Sequence, residues 1–263
     1  MRDRDLKLIR SRDNLRFKVL RELATSTRER RKAGLALLDG MHLIAAYRAN
    51  GGVPEQLILS ESGAANAEAA QLTQGASGQG VLVLADALFN DIAQVATPTG
   101  IIALIRTPRP GPLPAAIERC VMLDNIQDAG NLGSILRSTA AAGIRTILLS
   151  QGCAFAWSPK VLRAGMGAHF SLDIFDNVDL AAAVGRLAGR LICASGHARK
   201  SLFQADLRGP LAWVFGNEGS GVSAELSAAA AEQVRIPMPG KTESLNVAAA
   251  AAICLFEQVR QRM

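Results

Sequence analysis

The sequence predicts an α/β protein in which a small N-terminal domain precedes a larger domain built on a parallel sheet. Its 263 residues, of which 49% are hydrophobic, suffice for two domains or for one large α/β domain. After residue 115, short apolar runs alternate with helical patterns, which is typical of a parallel sheet covered by helices on both faces. The segment TPRPGPLP at 107–114 disfavours both helix and sheet. We therefore expect domains at 1–106 and 115–263, joined by a linker at 107–114.

The N-terminal domain combines helical patterns with three apolar runs. An apolar stripe with helical spacing predicts helices over 6–46, with an interruption between Gly34 and Gly40. An alanine-rich helix is expected at 64–72. The expected strands are 56–60, 80–85 and 100–105.

The C-terminal domain alternates regularly between the two kinds of element. The expected strands are 120–124, 146–150, 170–175, 191–195, 213–215 and 234–238. The expected helices are 130–142, 158–166, 180–189, 223–231 and a terminal helix that opens with alanines. Ligands of such sheets bind in loops at the carboxyl ends of the strands. That rule makes 125–133, 216–221 and 239–246 the candidate site loops.

Positive charge is concentrated near the N-terminus. The net charge is +6, but residues 1–50 hold 13 Lys/Arg against 6 Asp/Glu, a balance of +7, so the rest of the chain sums to about −1. The basic residues at 28, 30, 31 and 32 fit a surface that faces a polyanion; an ordinary solvated helix face is the alternative. Aromatic residues, at 4%, are too sparse for a base-stacking platform.

Several classes of protein are disfavoured. No run of about 18 uncharged apolar residues occurs, and the N-terminus lacks the apolar region of a secretory signal, so we expect a cytoplasmic protein without a membrane span. The cysteines form no CxxC pair, which argues against a zinc site and a disulfide framework. The three histidines are isolated, and structural roles are expected for them.

The first candidate loop leads into a helix. Gly130 and Gly133 flank Asn131, which lets a backbone or a ligand come close, and the amides of a helix N-terminus attract anions. Arg137 follows about one and a half turns later and is long enough to reach back toward the helix start. An ordinary salt-bridging role is the alternative for Arg137.

The second loop, FGNEGSG, holds three glycines and the acid Glu218 directly after a strand. The fingerprint GxGxxG is absent, so the loop can support a cofactor without being a usual nicotinamide or flavin site. Glu218 is expected in an apolar setting, where a functional role is favoured because an unpaired buried carboxylate is costly.

The third loop precedes the terminal helix. Ser244 and Asn246 lie where this helix begins, and one of them could simply be the N-cap. The alanines that follow keep helix propensity high and remove bulk, so a backbone, a second subunit or a flat ligand can lie against the helix.

The motifs DNIQDAGNLGSILRSTAAAGI, WVFGNEGSGVS and RIPMPGKTESLNVAAAAAICLFE resemble, in order and spacing, the three motifs of the SpoU (TrmH) family of RNA 2′-O-ribose methyltransferases in the SPOUT superfamily. The resemblance covers the chain from about residue 115 to the C-terminus. The N-terminal sequences SRDNLRFKVLRELATSTRERRKAG and LLDGMHLI are similar to the substrate-binding domain of many members, which is itself similar to ribosomal proteins that grip RNA.

The resemblance implies a C-terminal domain tied in a trefoil knot, a homodimer, and S-adenosylmethionine bound between the knotted loops. It implies that the adenosyl part is held, largely through backbone groups, by Gly216, Ile236, Met238 and Leu245. It also implies that the polar site positions are Asn131, Arg137, Glu218, Ser244 and Asn246.

The implied reaction is methyl transfer from a sulfonium carbon to a ribose 2′-oxygen, which needs alignment and no metal. Arg137, which is effectively always protonated, would orient a phosphate and stabilise the developing alkoxide rather than act as a base. Large-subunit ribosomal RNA is the expected substrate. A transfer RNA methyltransferase, a non-catalytic RNA-binding protein of the same fold and a nicotinamide-dependent dehydrogenase are the alternatives.

Overall fold

The computed structural model describes residues 7–73, 80–95 and 97–263, which form two compact units. The first unit comprises Met1–Pro108 and Trp157–Phe170, and the second comprises Arg109–Ala156 and Ser171–Met263. The division at residue 108 falls within the proline-rich segment. The grouping of 157–170 with the first unit differs from the continuous domain 115–263 that the sequence pattern favoured.

Long-range contacts place residues 157–170 in the first unit. Arg163 Nη1 donates to the backbone oxygen of Gln94 at 2.9 Å. The rings of Tyr47 and Phe170 lie 5.1 Å apart between centroids. Alternation of helical and apolar patterns along a chain carries no information about such contacts.

Strands and helices are numbered here in chain order. The strands are β1 Lys7–Ile9, β2 Leu35–Asp39, β3 Gln56–Ser60, β4 Val81–Leu84, β5 Ile101–Arg106, β6 Cys120–Asp124, β7 Thr146–Leu149, β8 Asp173–Phe175, β9 Arg190–Ala194, β10 Lys200–Ser201, β11 Leu211–Gly216 and β12 Glu232–Arg235. The α-helices are α1 Leu15–Thr25, α2 Thr27–Ala33, α3 Met41–Ala49, α4 Ala67–Thr73, α5 Asp86–Ile92, α6 Ala129–Ala141, α7 Pro159–Gly165, α8 Leu180–Val184, α9 Ala224–Ala229 and α10 Val247–Arg262.

The first unit contains a five-stranded mixed sheet in the order β1-β4-β3-β5-β2. Strands β1, β4 and β3 are parallel, whereas β5 runs antiparallel to both β3 and β2. Phe17 and Leu20 of α1 pack with Phe89 of α5 in the core of this unit.

The prediction of helix from residue 6 is wrong at β1, and the expected interruption between Gly34 and Gly40 contains a strand, β2, that was not predicted. The run Leu35–Asp39 is an edge strand paired with β5, preceded by Gly34 at φ 63° and followed by Gly40 at φ 103°. A short apolar run cannot be assigned to helix or strand from periodicity alone. Two glycines in left-handed or related backbone conformations cut it off from both neighbouring helices.

The predicted basic cluster on α2 is reduced by one member. Arg30 is only 4% exposed, and its guanidinium donates to the backbone oxygens of Leu23 and Ala24 and to Oγ1 of Thr27. It therefore closes the carboxyl end of α1 and does not face solvent. Arg28 and Lys32 are exposed.

The second unit contains a seven-stranded sheet, parallel throughout, in the order β10-β12-β9-β11-β6-β7-β8. All six residues of β11 are buried, as expected for a central strand covered on both faces. The sequence placed β6, β7, β9 and β11 correctly but made the strand at 170–175 and the helix at 180–189 too long. It placed the last strand at 234–238, whereas β12 spans Glu232–Arg235, and it missed the two-residue β10.

The topology brings the site loops together. β11 pairs with β6 on one side and β9 on the other, and β12 lies next to β9. Because all these strands are parallel, the loops that follow β6, β11 and β12 leave the sheet at the same edge. Among the described residues, no helix is long and apolar enough to span a membrane.

Candidate functional site

Side chains from the three loops form a chain of hydrogen bonds. Nδ2 of Asn131 donates to Oε1 of Glu218 at 2.9 Å. Nδ2 of Asn246 donates to Oδ1 of Asn131 at 2.8 Å. We call Asn131, Glu218 and Asn246 the three-loop cluster. Glu218 lies 87 positions from Asn131 in the sequence, and Asn246 lies 115 positions from it. The three side chains nevertheless meet at one edge of the sheet.

Asn131 and Asn246 are both held at the N-terminal ends of helices. Asp128 caps α6, and its Oδ1 accepts the backbone amide of Asn131 at 2.7 Å. Asn246 caps α10, and its Oδ1 accepts the amides of Ala248 and Ala249 at 2.9 and 3.3 Å. The capping role and the site role of Asn246 therefore coexist, because the cap uses its oxygen and the cluster uses its nitrogen.

Glu218 is an exposed carboxylate, so the expectation of a buried apolar setting is wrong. Partial burial acts to raise its pKa, but hydrogen bonds from the Asn131 side chain and from backbone amides of the loop after β6 outweigh that effect. The pKa of Glu218 therefore lies below its ordinary value. The carboxylate is ionised at neutral pH and acts as an acceptor.

A cavity of about 510 Å³ opens beside the cluster at the carboxyl ends of β9, β11 and β12. All four residues assigned to the adenosyl part line it, and so do three of the five polar positions. These are Gly216, Ile236, Met238 and Leu245, together with Glu218, Ser244 and Asn246. The remaining wall comes from Ala194, Ser195, Gly196, Phe215, Asn217, Gly221, Val234, Arg235, Glu243, Val247 and Ala250.

Gly216 is required by the shape of the cavity wall. The chain folds back after it, with the backbone groups of Asn217 and Gly221 exchanging hydrogen bonds at 3.0 and 2.9 Å. A Cβ on Gly216 would lie 2.2 Å from the carbonyl carbon of Gly221. Because the obstruction is backbone, any side chain here would displace the turn.

Arg137 lies apart from the cluster. Six residues along a helix amount to about 120° of rotation, so it and Asn131 face different directions. Its side chain is exposed, it does not line the cavity, and the structure records no hydrogen bond or ion pair for it within the described ranges. It shares its face of α6 with the small residues Gly130, Ser134 and Ala141.

Sequence reasoning missed two asparagines. Asn217 donates through Nδ2 to the backbone oxygen of Asn125 at 2.9 Å. Asn125 has φ 60°, one of three positive values among non-glycine residues in the described chain. A signal for Asn217 was present, since it directly precedes Glu218. Nothing in the sequence marks Asn125 beyond its position after β6.

Across the part of the chain that the structure describes, no group of three His, Cys, Asp or Glu residues is arranged to hold a metal. The fold and cavity define the class: an α/β protein with its ligand site at the carboxyl edge of a parallel sheet, beside an amide and carboxylate cluster. The family model described as the SpoU rRNA Methylase family matches residues 118–256, and an MRM3-like substrate binding domain matches 14–103. The chain belongs to the SpoU rRNA methylase family.

Known relatives extend over nearly the whole chain. An uncharacterised tRNA/rRNA methyltransferase of Synechocystis is 32% identical over 98% of this chain and 95% of its own. The 23S rRNA (guanosine(2553)-2'-O)-methyltransferase RlmP of Bacillus subtilis is 28% identical over 95% of this chain and 98% of its own. The structure of an AdoMet-bound rRNA methyltransferase from Sinorhizobium meliloti is similar with a TM-score of 0.83 at 26% identity, covering 98% of each chain.

The cavity fits S-adenosylmethionine, the cofactor of this family. Its volume of about 510 Å³ lies in the range of about 300–1,000 Å³ usual for small-molecule sites. Ile236, Met238 and Leu245 offer apolar surface to an adenosyl group. Glu218, ionised at the rim, complements a ligand that carries positive charge.

Proposed function

We propose that the protein is an S-adenosylmethionine-dependent RNA 2′-O-ribose methyltransferase. The observation that carries the proposal is the three-loop cluster at the rim of the cavity, built from the three motifs that the family model covers. Polar groups held in place before the substrate arrives are what alignment of a methyl transfer requires.

S-adenosylmethionine supplies a methyl group on a positively charged sulfur. Gly216, Ile236, Met238 and Leu245 hold its adenosyl part against the ends of β11 and β12. Glu218 fixes Asn131, and Asn131 in turn fixes Asn246, so their amides are oriented before RNA binds. Ser244 lies on the loop between Met238 and Asn246 and lines the cavity.

Arg137 completes the proposed site from the outer face of α6. Its exposure and its lack of a recorded partner within the described ranges leave the guanidinium available to an RNA phosphate. A guanidinium that holds two oxygens at once aligns the ribose and stabilises the oxygen as it loses its proton. The proton passes to solvent or to the substrate phosphate, because a guanidinium offers only donors and no acceptor.

The active form is proposed to be a homodimer with a trefoil knot in each second unit. Ala249, Ala252, Ile253 and Phe256 form an outer stripe on α10 with helical spacing, and Phe256 is 48% exposed. An apolar stripe of this kind is suited to a second copy of the chain. A partner close to the small residues of α6 would bring its own groups near Arg137.

Residues 1–106 are proposed to bind the RNA, with 107–114 as the linker and 115–263 as the methyltransferase domain. The match to a substrate-binding model over 14–103 supports this, as do the exposed Arg28 and Lys32 of α2. Ribosomal RNA is favoured over transfer RNA because RlmP and the S. meliloti protein are named for rRNA. A cytoplasmic location suits an RNA substrate and four buried free cysteines.

A two-step experiment tests the proposal. A thermal-shift screen with S-adenosylhomocysteine, NAD and no ligand should show stabilisation by the first ligand alone. Transfer of labelled methyl groups to ribosomal and transfer RNA transcripts then follows. Binding of S-adenosylhomocysteine without transfer to either RNA would indicate a non-catalytic RNA-binding protein, and stabilisation by NAD a dehydrogenase.

A further inference from the structure

Asn217 uses its whole amide group to connect two site loops. Nδ2 donates to the backbone oxygen of Asn125 at 2.9 Å and approaches Oε2 of Glu218 at 3.4 Å. Oδ1 accepts the backbone amides of Gly219 and Ser220 at 2.9 and 3.1 Å. The oxygen therefore shapes the turn after β11, and the nitrogen ties that turn to the loop after β6.

Asn125, which accepts this hydrogen bond from Asn217, lies at a constrained point of the backbone. Asn125 adopts a left-handed backbone conformation, and its backbone N–H donates to Oγ of Ser150 at 2.8 Å. A Cβ on Gly152 would lie 2.0 Å from Oδ1 of Asn125, so a larger residue at 152 would displace the Asn125 carboxamide from its observed position. The loop after β6 is thus held between the loop after β7 and Asn217. Backbone strain of this kind persists where the surroundings over-determine it.

The tie bears directly on the three-loop cluster. Glu218 follows Asn217 in the chain, and Asn131 follows Asn125 by six residues, through the cap of α6. A change in the separation of the two loops would therefore move the 2.9 Å contact between Glu218 and Asn131. We propose that Asn217 is a positioning residue for methyl transfer, which acts by holding Glu218 and the start of α6 at their working distance. This inference rests on the proposed function.

The two tasks of Asn217 can be separated by substitution. Asn217→Asp keeps an oxygen for the amides of Gly219 and Ser220 but loses the donor to Asn125. Because Asn217 also lines the cavity, some loss of affinity for S-adenosylhomocysteine is expected, but calorimetry should show a much smaller loss than the loss of rate. Its single-turnover methyl-transfer rate should fall roughly 10–100-fold, as small misplacements of reacting groups do.

Two further variants sharpen the test. Asn217→Ser offers a hydroxyl that can accept an amide two residues on but is too short to reach Asn125, so it should show the same separation of rate from affinity. Ser220→Ala is the matched control, because it removes only a hydroxyl that lies 3.3 Å from Oδ1 of Asn217. It should retain the wild-type rate.

A double-mutant cycle identifies the group through which Asn217 acts. In the Glu218→Gln variant, Asn217→Asp should lower the methyl-transfer rate by a much smaller factor than it does in the wild type. The free-energy effects of two substitutions are not additive when the residues are coupled. The inference is overturned if both Asn217 variants keep the wild-type rate, if affinity falls in proportion to rate, or if the two losses simply multiply. No transfer by the wild-type chain would instead refute the proposed function, and this inference with it.

Discussion

Among single residues, Arg137 has the most direct part in the proposed methyl transfer. Arg137→Ala should leave S-adenosylhomocysteine binding nearly intact and lower the single-turnover methylation rate by roughly 10²–10³-fold, the loss typical of one preorganised electrostatic contact. Arg137→Lys should recover only part of the rate, because an ammonium lacks the planar fork that holds two oxygens. Calorimetry and transfer assays on the same samples measure both effects. Loss of cofactor affinity in proportion to rate would make Arg137 a structural residue.

Asn246 allows its two roles to be measured apart. Asn246→Ala removes both the cap of α10 and the bond to Asn131, so thermal unfolding should show a loss of about 1 kcal/mol together with a loss of activity. Asn246→Asp keeps an oxygen for the amides of Ala248 and Ala249 but has no donor for Asn131. It should unfold near the wild-type temperature and still be impaired in methyl transfer. Equal activity of Asn246→Asp and wild type would show that only the cap matters.

The sequence motifs also indicate which polar residues come together, and the roles of these residues stay predictions. The polar positions Asn131, Glu218 and Asn246 follow from motifs, and they meet because three parallel strands end at one edge. The exposure of Glu218 could not be predicted, since it depends on how the loop after β11 turns in space. The six-residue spacing already places Arg137 and Asn131 on different faces of α6, but it does not say whether the long side chain reaches back. Asn217 was overlooked because its partner is a backbone oxygen 92 residues away.

At the scale of elements, the outer stripe of α10 makes the prediction about assembly. Phe256→Arg places a charge on the proposed interface, and Ala249→Trp overpacks it. Both variants should sediment as monomers at micromolar concentration and lose methylation activity together. Val19→Arg, which changes an exposed apolar residue of α1 in the other unit, is the control and should remain dimeric. A wild-type protein that sediments as a monomer would remove the dimer from the account.

Glu257, in the carboxyl half of α10, should make the folding stability depend on pH. Hydrogen bonds from Arg260, at 2.8 Å to each oxygen, and from Gln261 lower the pKa of Glu257 to about 2, although burial opposes them. A carboxylate with a lowered folded-state pKa stabilises fully above its unfolded value of about 4.3, and this contribution is lost as pH falls toward the folded value.

The matching variant is Glu257→Gln, which cannot ionise. Above pH 5 the wild type should unfold at the higher temperature. Between about pH 4 and pH 2 that advantage should shrink, because the wild-type carboxylate becomes protonated. Thermal unfolding of both proteins across this range measures the difference. A gap that stays constant with pH would show that the pair with Arg260 contributes little.

Elements were predicted best where their patterns were long or bounded by glycine and proline. α6 and the central strands β6, β9 and β11 appear close to their expected limits, and α10 opens with the expected alanines. β2 was missed because four apolar residues suit either a helix or an edge strand. The grouping of 157–170 with the first unit was missed because it depends on contacts with Gln94 and Tyr47.

In the whole molecule, a unit that matches a substrate-binding family model accompanies a unit that carries the cavity and the three-loop cluster. Family membership rests on models that match 14–103 and 118–256. The central claim is that these parts together methylate a ribose in RNA. Only a measurement on the full chain and on natural RNA addresses that claim.

The most direct measurement is ribose-methylation mapping of total RNA from a strain that lacks the gene. The account predicts that one or more 2′-O-methyl groups, expected in large-subunit ribosomal RNA, disappear in this strain. They should return with the wild-type gene and stay absent with the Arg137→Ala gene at equal protein level. An unchanged methylation map in the deletion strain, or full restoration by Arg137→Ala, would contradict the account.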